Sequence, residues 1–161
     1  TEVYNQVENK KIIFKDYPSI RHFHQPKIEK RVKISSKNIS FEEEGDWRYL
    51  RPVADLIITM VPTSTLSWCI GANVPLVWIN IPHIKFRHKW LYESFKNSFF
   101  YFDIDNNDWT HKLRKFLSLP KEEIYKKWIE KEDYRNNFIN NHLFFNRKSM
   151  QPFKKIKKLM L

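Results

Sequence analysis

Apolar residues occur in short runs along this chain, and segments of helical or polar character separate the runs. Four near-continuous apolar runs and one alternating segment have the length and the aromatic or β-branched content that is typical of strands. They are KIIF (11–14), RVKIS (31–35), ADLIITMV (54–61), PLVWINIP (75–82) and SFFYFDID (98–105). Because most of the runs do not alternate, they indicate strands buried on both faces, as in parallel sheets.

Helical segments alternate with these strands. Ser40 as an N-cap before FEEEGDWRYLRPV predicts a short helix ending near Pro52, since acidic residues favour the first turn of a helix. Further helices are predicted over residues 65–72, 86–97 and 108–117, and a long one over residues 120–145. The order predicts an α/β fold, a Rossmann-like open parallel sheet of about five strands with helices on both faces and a long C-terminal helix.

Composition excludes several classes of protein. The chain of 161 residues contains 2 glycines, too few for a Gly-rich dinucleotide-binding fingerprint. It lacks an apolar run of the roughly 18–20 residues that span a bilayer, and its first residues do not form a signal-peptide pattern. The one cysteine, Cys69, excludes an internal disulfide and fits a reducing compartment. We therefore expect a cytoplasmic protein.

Positive charge is concentrated in the last third of the chain. The net charge is +11, but residues 1–109 hold 15 Lys and Arg against 13 Asp and Glu, whereas residues 110–161 hold 14 against 5. We divide the chain into a domain over residues 1–146 and a basic tail over residues 147–161. The tail either lies on an anionic membrane surface, where each Lys contributes about 1 kcal/mol, or is solvated. The charge also leaves open an alternative function, a basic binding module on an α/β scaffold for nucleic acid or anionic membrane.

The turn after the strand 54–61 is the strongest candidate site. Thr63, Ser64 and Thr65 place hydroxyl groups where a buried parallel strand leads into a helix. A helix start presents unpaired N–H groups and about half a positive charge, and open α/β sheets bind ligands beyond the carboxyl ends of their strands. The turn therefore suits a phosphate group, although Ser64 or Thr65 as a simple helix cap is the alternative. Lys15, at the end of the first strand, would project toward the same edge unless it is a solvated surface lysine.

Several segments resemble a known family. KIIFKDYPS, RVKIS and RPVADLIITMVPTSTLSWCIGANVPLVWINIP resemble the C-terminal domain of GT-B glycosyltransferases. More narrowly, they are similar to bacterial surface-polysaccharide transferases and CDP-glycerol glycerophosphotransferases. Those families carry a strand ending in Lys-x-x-Pro, then an Ala-Asp-Leu-Ile-Ile-Thr type of strand, a Ser/Thr turn, a short helix and a Pro-led strand. The resemblance covers roughly residues 10–118, and the block 54–79 is its most specific part.

The resemblance implies a nucleotide-sugar or CDP-polyol donor as substrate, used in the synthesis of cell-surface polysaccharide, with no separate cofactor. The residues that would hold the donor phosphates are Thr63, Ser64, Thr65 and Lys15. Further donor contacts would come from Tyr17 and Pro18. Independently of the resemblance, His83 directly follows the strand 75–82 and so lies at the same predicted edge, where it either contacts the donor or is a surface histidine. Catalytic residues are not assigned.

The resemblance also implies a second domain. GT-B enzymes have two Rossmann-like domains, and the N-terminal one supplies the acceptor site and usually the catalytic base. We therefore expect this chain to lack the first strand of its domain and not to catalyse transfer alone. It would be either part of a longer protein whose acceptor domain is its partner, or a heavily truncated relative. If the basic tail lies on a membrane surface, the protein would be located at the inner face of the cell membrane; no specific nucleic-acid partner is expected.

Five other positions are interpreted without a role in donor binding. His22 and His24 form an H-x-H pair in a loop, but no cysteine or clustered carboxylate joins them in sequence, so we predict no metal site. Asp55, at the start of a buried strand, is expected to hydrogen-bond to a neighbouring backbone group. Cys69 is expected to be buried in an apolar helix, and Asp103 is expected to cap the loop after the last strand.

Overall fold

Two parallel sheets form the framework of the protein in a computed structural model, which describes residues 10–15, 38–42, 53–60, 64–81 and 88–143. The first sheet pairs β1 (Ile12–Lys15) with β2 (Ile39–Glu42). The second sheet contains β3 (Ile57–Thr59), β4 (Leu76–Asn80) and β5 (Phe100–Asp103) in that order.

Five helices accompany these strands in the described residues. They are α1 (Ser64–Gly71), α2 (Lys89–Ser98), α3 (Trp109–Leu117), α4 (Lys121–Ile129) and α5 (Glu132–His142). None of these five helices has both the length and the apolar character that a membrane crossing requires. The predicted α/β class with parallel strands is confirmed. Within the described ranges no strand pairing joins the two sheets, so a single sheet of about five strands stays a prediction.

Helices cover both faces of the three-stranded sheet, as predicted. On one face, the ring of Trp78 in β4 lies 5.3 Å from the ring of Phe95 in α2. On the other face, the ring of Phe100 in β5 lies 4.5 Å from Phe116 of α3 and 6.0 Å from Trp128 of α4. β4 is buried along nearly all its length, which explains the continuous apolar run of its sequence.

The predicted helix after Ser40 is wrong at its start, because Ser40 lies within β2. Ile39 is in register with Ile12 of β1, and the Ser40 hydroxyl donates to the carbonyl of Ile12 at 3.5 Å. The glutamates that follow suggested a first helical turn, but the apolar–polar alternation of ISFE has the period of a strand. The predicted strand over residues 31–35 lies outside the described residues.

The single long helix predicted over residues 120–145 is also wrong, because α4 and α5 are separated by a turn at Glu130 and Lys131. The carbonyl of Trp128, near the end of α4, accepts from the Lys131 N–H at 3.3 Å and from Nη1 of Arg135 at 2.8 Å. The buried guanidinium of Arg135 also lies 3.7 Å over the Trp128 ring. Arg135 thus satisfies a carbonyl that a continuous helix would have paired internally.

α5 packs along α2 and holds it against the sheet. Phe138 of α5 contacts Phe95 of α2 with ring centroids 5.5 Å apart. The hydroxyl of Ser98, which is fully buried, donates to the carbonyls of Ser94 at 2.7 Å and Tyr134 at 2.9 Å. α2 is therefore fixed between β4 and α5.

The residues that precede β1 and β3 both attach near the start of α4. Asp55 forms an exposed ion pair with Nζ of Lys121 at 2.6 Å, so its predicted hydrogen bond to a neighbouring backbone group is wrong. Nζ of Lys10 donates to the carbonyl of Leu119 at 2.8 Å, and burial lowers the pKa of Lys10. Through Lys10 and Lys121, the residues before β1 and β3 are thus both joined to residues 119–121.

Candidate functional site

A β–α–β unit carries the predicted phosphate site. β3 leads through residues 61–63, which lie outside the described residues, into α1, and α1 leads into β4. Cys69 and Ile70 are buried in the core and fix the helix, which confirms the predicted helix over residues 65–72 and the burial of Cys69. Asn73, with φ of 53°, turns the chain back toward β4, and asparagine tolerates this conformation well. The start of α1 therefore lies at the carboxyl end of β3.

The first turn of α1 is free of acidic residues. Ser64 begins the helix, and the half-buried Thr65 is its second residue. By contrast, α4 has two glutamates in its first turn and α5 has Glu132 and Asp133 there, whereas α2 and α3, like α1, have no acidic residue in the first turn. Because carboxylates at those starts partly neutralise the helix dipole, the start of α1 keeps more of its positive potential. This arrangement suits an anion.

The other predicted donor residues are only partly located. Lys15 is the half-buried last residue of β1, as the sequence indicates. Since β1 and β3 belong to separate sheets, the expected proximity of Lys15 to the start of α1 stays a prediction. Thr63, Tyr17, Pro18 and His83 lie outside the described residues.

A second polar group, Asn80 and Asp103, lies at the carboxyl ends of β4 and β5. The two residues are in register across the strand pair, so their side chains share one face of the sheet. That face is the one covered by α2, because Trp78 and Tyr101, two residues earlier on each strand, contact α2 rings there. One Asp103 oxygen accepts from the N–H of Asp105 at 3.2 Å, which confirms its predicted role in the loop.

Sequence reasoning missed Asn80 altogether. Its signal is a polar residue directly after four buried apolar ones, LVWI, at the end of a strand. Right-handed crossovers place α1 and α2 on the same face of the sheet. We therefore expect the helix starts and the Asn80–Asp103 pair to border one region beyond the strand ends.

Tyr101 adds a buried hydroxyl to this polar group. Burial raises the pKa of Tyr101 above its usual range, and the neighbouring Tyr92 and Asp103 raise the pKa further. Its hydroxyl makes no hydrogen bond of good geometry in the described part of the chain. Nζ of Lys96 lies 5.9 Å from the ring centroids of both tyrosines, close enough for a weak cation–π contact. Tyr101 therefore stays protonated at neutral pH.

An exposed aromatic stack borders the start of α2. The Trp90 ring stacks on His88 at 5.6 Å and contacts His142 of α5 at 5.2 Å. His142 in turn packs edge-on against Phe138 at 4.9 Å. The stack connects the start of α2 with the end of α5, and so helps to hold α2 on the face of the sheet that carries Asn80 and Asp103.

The described residues contain no group of three or more His, Cys, Asp or Glu side chains that could hold a metal ion. Neither a protein-family model, nor a curated protein, nor a solved structure matches this chain.

Proposed function

We propose that this chain is the donor-binding half of a transferase that uses a nucleotide-sugar or CDP-polyol in the synthesis of cell-surface polysaccharide. The observation that carries the proposal is the parallel β3–α1–β4 unit, whose helix begins at a strand end with hydroxyl residues and without a carboxylate. The diphosphate of the donor would bind at that helix start, which combines unpaired N–H groups with positive potential.

The proposal also needs the two sheets to act as one Rossmann-like layer. Two contacts support this. Lys10, before β1, donates to the Leu119 carbonyl, and Asp55, before β3, pairs with Lys121, so both strands begin near the same short stretch of chain. If the strands lie side by side, Lys15 at the carboxyl end of β1 borders the start of α1. In the enzymes that the chain resembles, a second domain supplies the acceptor site, so we assign donor binding to this chain and not transfer by itself.

The proposed location is cytoplasmic, at the inner face of the cell membrane, where a lipid-linked acceptor would be met. The basic tail over residues 147–161 lies outside the described residues, and its contact with membrane stays a prediction.

Substitution of Thr65 tests the diphosphate site. Thr65→Glu places a carboxylate in the first turn of α1, where it would repel a bound diphosphate. A like charge at about 5 Å costs roughly 1–3 kcal/mol for effective dielectric constants between about 80 and 20. We expect affinity for UDP or CDP, measured by calorimetric titration, to fall at least about fivefold.

Thr110→Glu is the matched control. Thr110 is also half-buried and is also the second residue of a helix, α3, which follows the carboxyl end of β5 but packs on the opposite face of the sheet. Its substitution should leave diphosphate binding unchanged. An oligonucleotide titration in the same buffer tests the alternative: tight binding with a steep salt dependence, and no diphosphate binding, would support the basic module and contradict our proposal.

A further inference from the structure

Polar groups with unused hydrogen-bonding capacity are concentrated at the carboxyl ends of β4 and β5. The half-buried amide of Asn80 makes no hydrogen bond within the described residues. The hydroxyl of Tyr101 is buried beside Asp103 without a well-aligned partner among those residues. Asp103 is half-buried and has one described hydrogen bond, from the N–H of Asp105 to one of its oxygens. All three side chains lie on the face that α2 covers.

Of the three groups only the Tyr101 hydroxyl is fully buried, and folded proteins pair nearly all such groups, whereas Asn80 and Asp103 are partly exposed and can accept a ligand. The residues of β4 before Asn80 are buried and apolar, so the strand changes from apolar to polar residues at its carboxyl end. Strand ends of this kind are where open α/β sheets bind their ligands. The unused capacity is therefore in the right place to be completed by a ligand.

The chemistry of the three groups selects the kind of ligand. An amide and a phenol both donate and accept hydrogen bonds, whereas a carboxylate accepts only. The charge of Asp103 disfavours an anion at this position, and a single carboxylate is a poor site for a metal cation, which needs several oxygen ligands. Hydroxyl groups, which donate and accept, complement all three side chains.

We infer that Asn80 and Asp103 bind neighbouring hydroxyl groups of a sugar or polyol. Adjacent strands lie about 4.8 Å apart, so the amide and the carboxylate are spaced for hydroxyls on nearby carbon atoms. The inference rests on the proposed function in one respect: it makes this polar pair the site for the sugar or polyol end of the donor, one strand away from the diphosphate at α1.

Binding at this site can be distinguished from binding at the diphosphate site by comparing each nucleoside diphosphate with its sugar or polyol derivative. UDP is compared with UDP-glucose, and CDP with CDP-glycerol, by calorimetric titration of the whole chain. Asp103→Asn keeps the size of the side chain and an oxygen for the Asp105 N–H but removes the charge. We expect the affinity gained from the glucose or glycerol group to fall about tenfold, because a charged acceptor is lost, while the affinity for UDP or CDP alone stays unchanged.

Asp105→Asn is the matched control, since it removes the same charge two residues further on, at an exposed position. It should leave both affinities unchanged. An unchanged ratio between UDP-glucose and UDP in Asp103→Asn, with UDP still bound, would overturn the inference and leave the proposed function standing.

A second readout does not depend on nucleotide binding. The chain is labelled with ¹³C-tyrosine, the Tyr101 resonance is assigned by Tyr101→Phe, and glucose or glycerol is titrated in. We expect a saturable shift of the Tyr101 resonance that is lost in Asp103→Asn. If this shift occurs without any UDP or CDP binding, the hydroxyl site stands and the diphosphate site fails; if Tyr101 does not respond to either compound, the inference is overturned.

Discussion

Arg135 is predicted to stabilise the turn between α4 and α5, and with it the packing of α5 on α2. Its guanidinium makes two contacts at once, stacking 3.7 Å over the ring of Trp128 and donating to the Trp128 carbonyl at 2.8 Å. A desolvated cation–π contact contributes about 2 kcal/mol, and a hydrogen bond from a charged donor contributes about 1.5–3 kcal/mol. Burial offsets part of this gain, as the lowered pKa of Arg135 indicates.

We expect Arg135→Lys to destabilise the protein by about 2 kcal/mol, because an ammonium cannot stack as a plane and reach the carbonyl together. Arg135→Ala should cost about 2–4 kcal/mol, since it also removes packing in a buried position. For a chain of this size, a loss of about 2 kcal/mol lowers Tm by about 4–8 °C. Urea unfolding followed by circular dichroism measures both variants.

The control for Arg135 is Lys126→Ala on the exposed side of α4, which should change stability by less than about 0.5 kcal/mol. If Arg135→Lys unfolds at the same urea concentration as the wild type, the paired contact with Trp128 does not stabilise the turn. The account of why the predicted long helix breaks would then be wrong.

Two further predictions concern buried polar groups. Ser98→Ala should lower the free energy of unfolding in urea by about 1–2 kcal/mol, because its buried hydroxyl bridges the Ser94 and Tyr134 carbonyls. The control Ser118→Ala removes an exposed hydroxyl bonded to the carbonyl four residues earlier, and should cost less than about 0.5 kcal/mol. Equal losses in the two variants would contradict the role given to the Ser98 hydroxyl. Tyr101 should stay protonated in the folded chain when pH rises past the ordinary tyrosine pKa of about 10, because its folded pKa is raised above the unfolded value. Its contribution to stability is therefore fully present below about pH 10 and is lost as pH rises further, since the unfolded chain releases the proton first. Absorbance at 295 nm against pH should show one late-titrating tyrosine that Tyr101→Phe removes, and an unchanged curve in that variant would refute the assignment.

Local patterns predicted the elements that depend on local sequence. The apolar run of β4, the helix α1 and the stop after it are all visible in residues 54–82, and they belong to the unit that carries the proposed site. Burial of Cys69 followed from its apolar neighbours in α1. These predictions needed no knowledge of distant contacts.

The errors occurred where contacts between separate elements decide the structure. No proline or glycine marks the turn at Glu130 and Lys131, and the residues that break the helix do so through the Arg135–Trp128 contact. Ser40 has a reasonable context for a helix cap, but pairing with β1, a strand 28 residues earlier, places it in a sheet.

Register explains why the polar pair at the sheet edge was missed. Asn80 and Asp103 are far apart in sequence, and only the alignment of β4 with β5 shows that they are neighbours on one face. A single sequence contains their identities but not that alignment. The unused hydrogen-bonding capacity of Asn80 likewise becomes visible only when its surroundings are known.

The measurement that tests the central claim most directly is a calorimetric titration of the chain with UDP and CDP at fixed ionic strength, repeated for Thr65→Glu and Thr110→Glu. Our account predicts saturable binding of at least one diphosphate, weakened at least about fivefold by Thr65→Glu and unchanged by Thr110→Glu. Absence of binding to the unsubstituted chain, or an equal loss in both variants, would contradict a donor site at the start of α1.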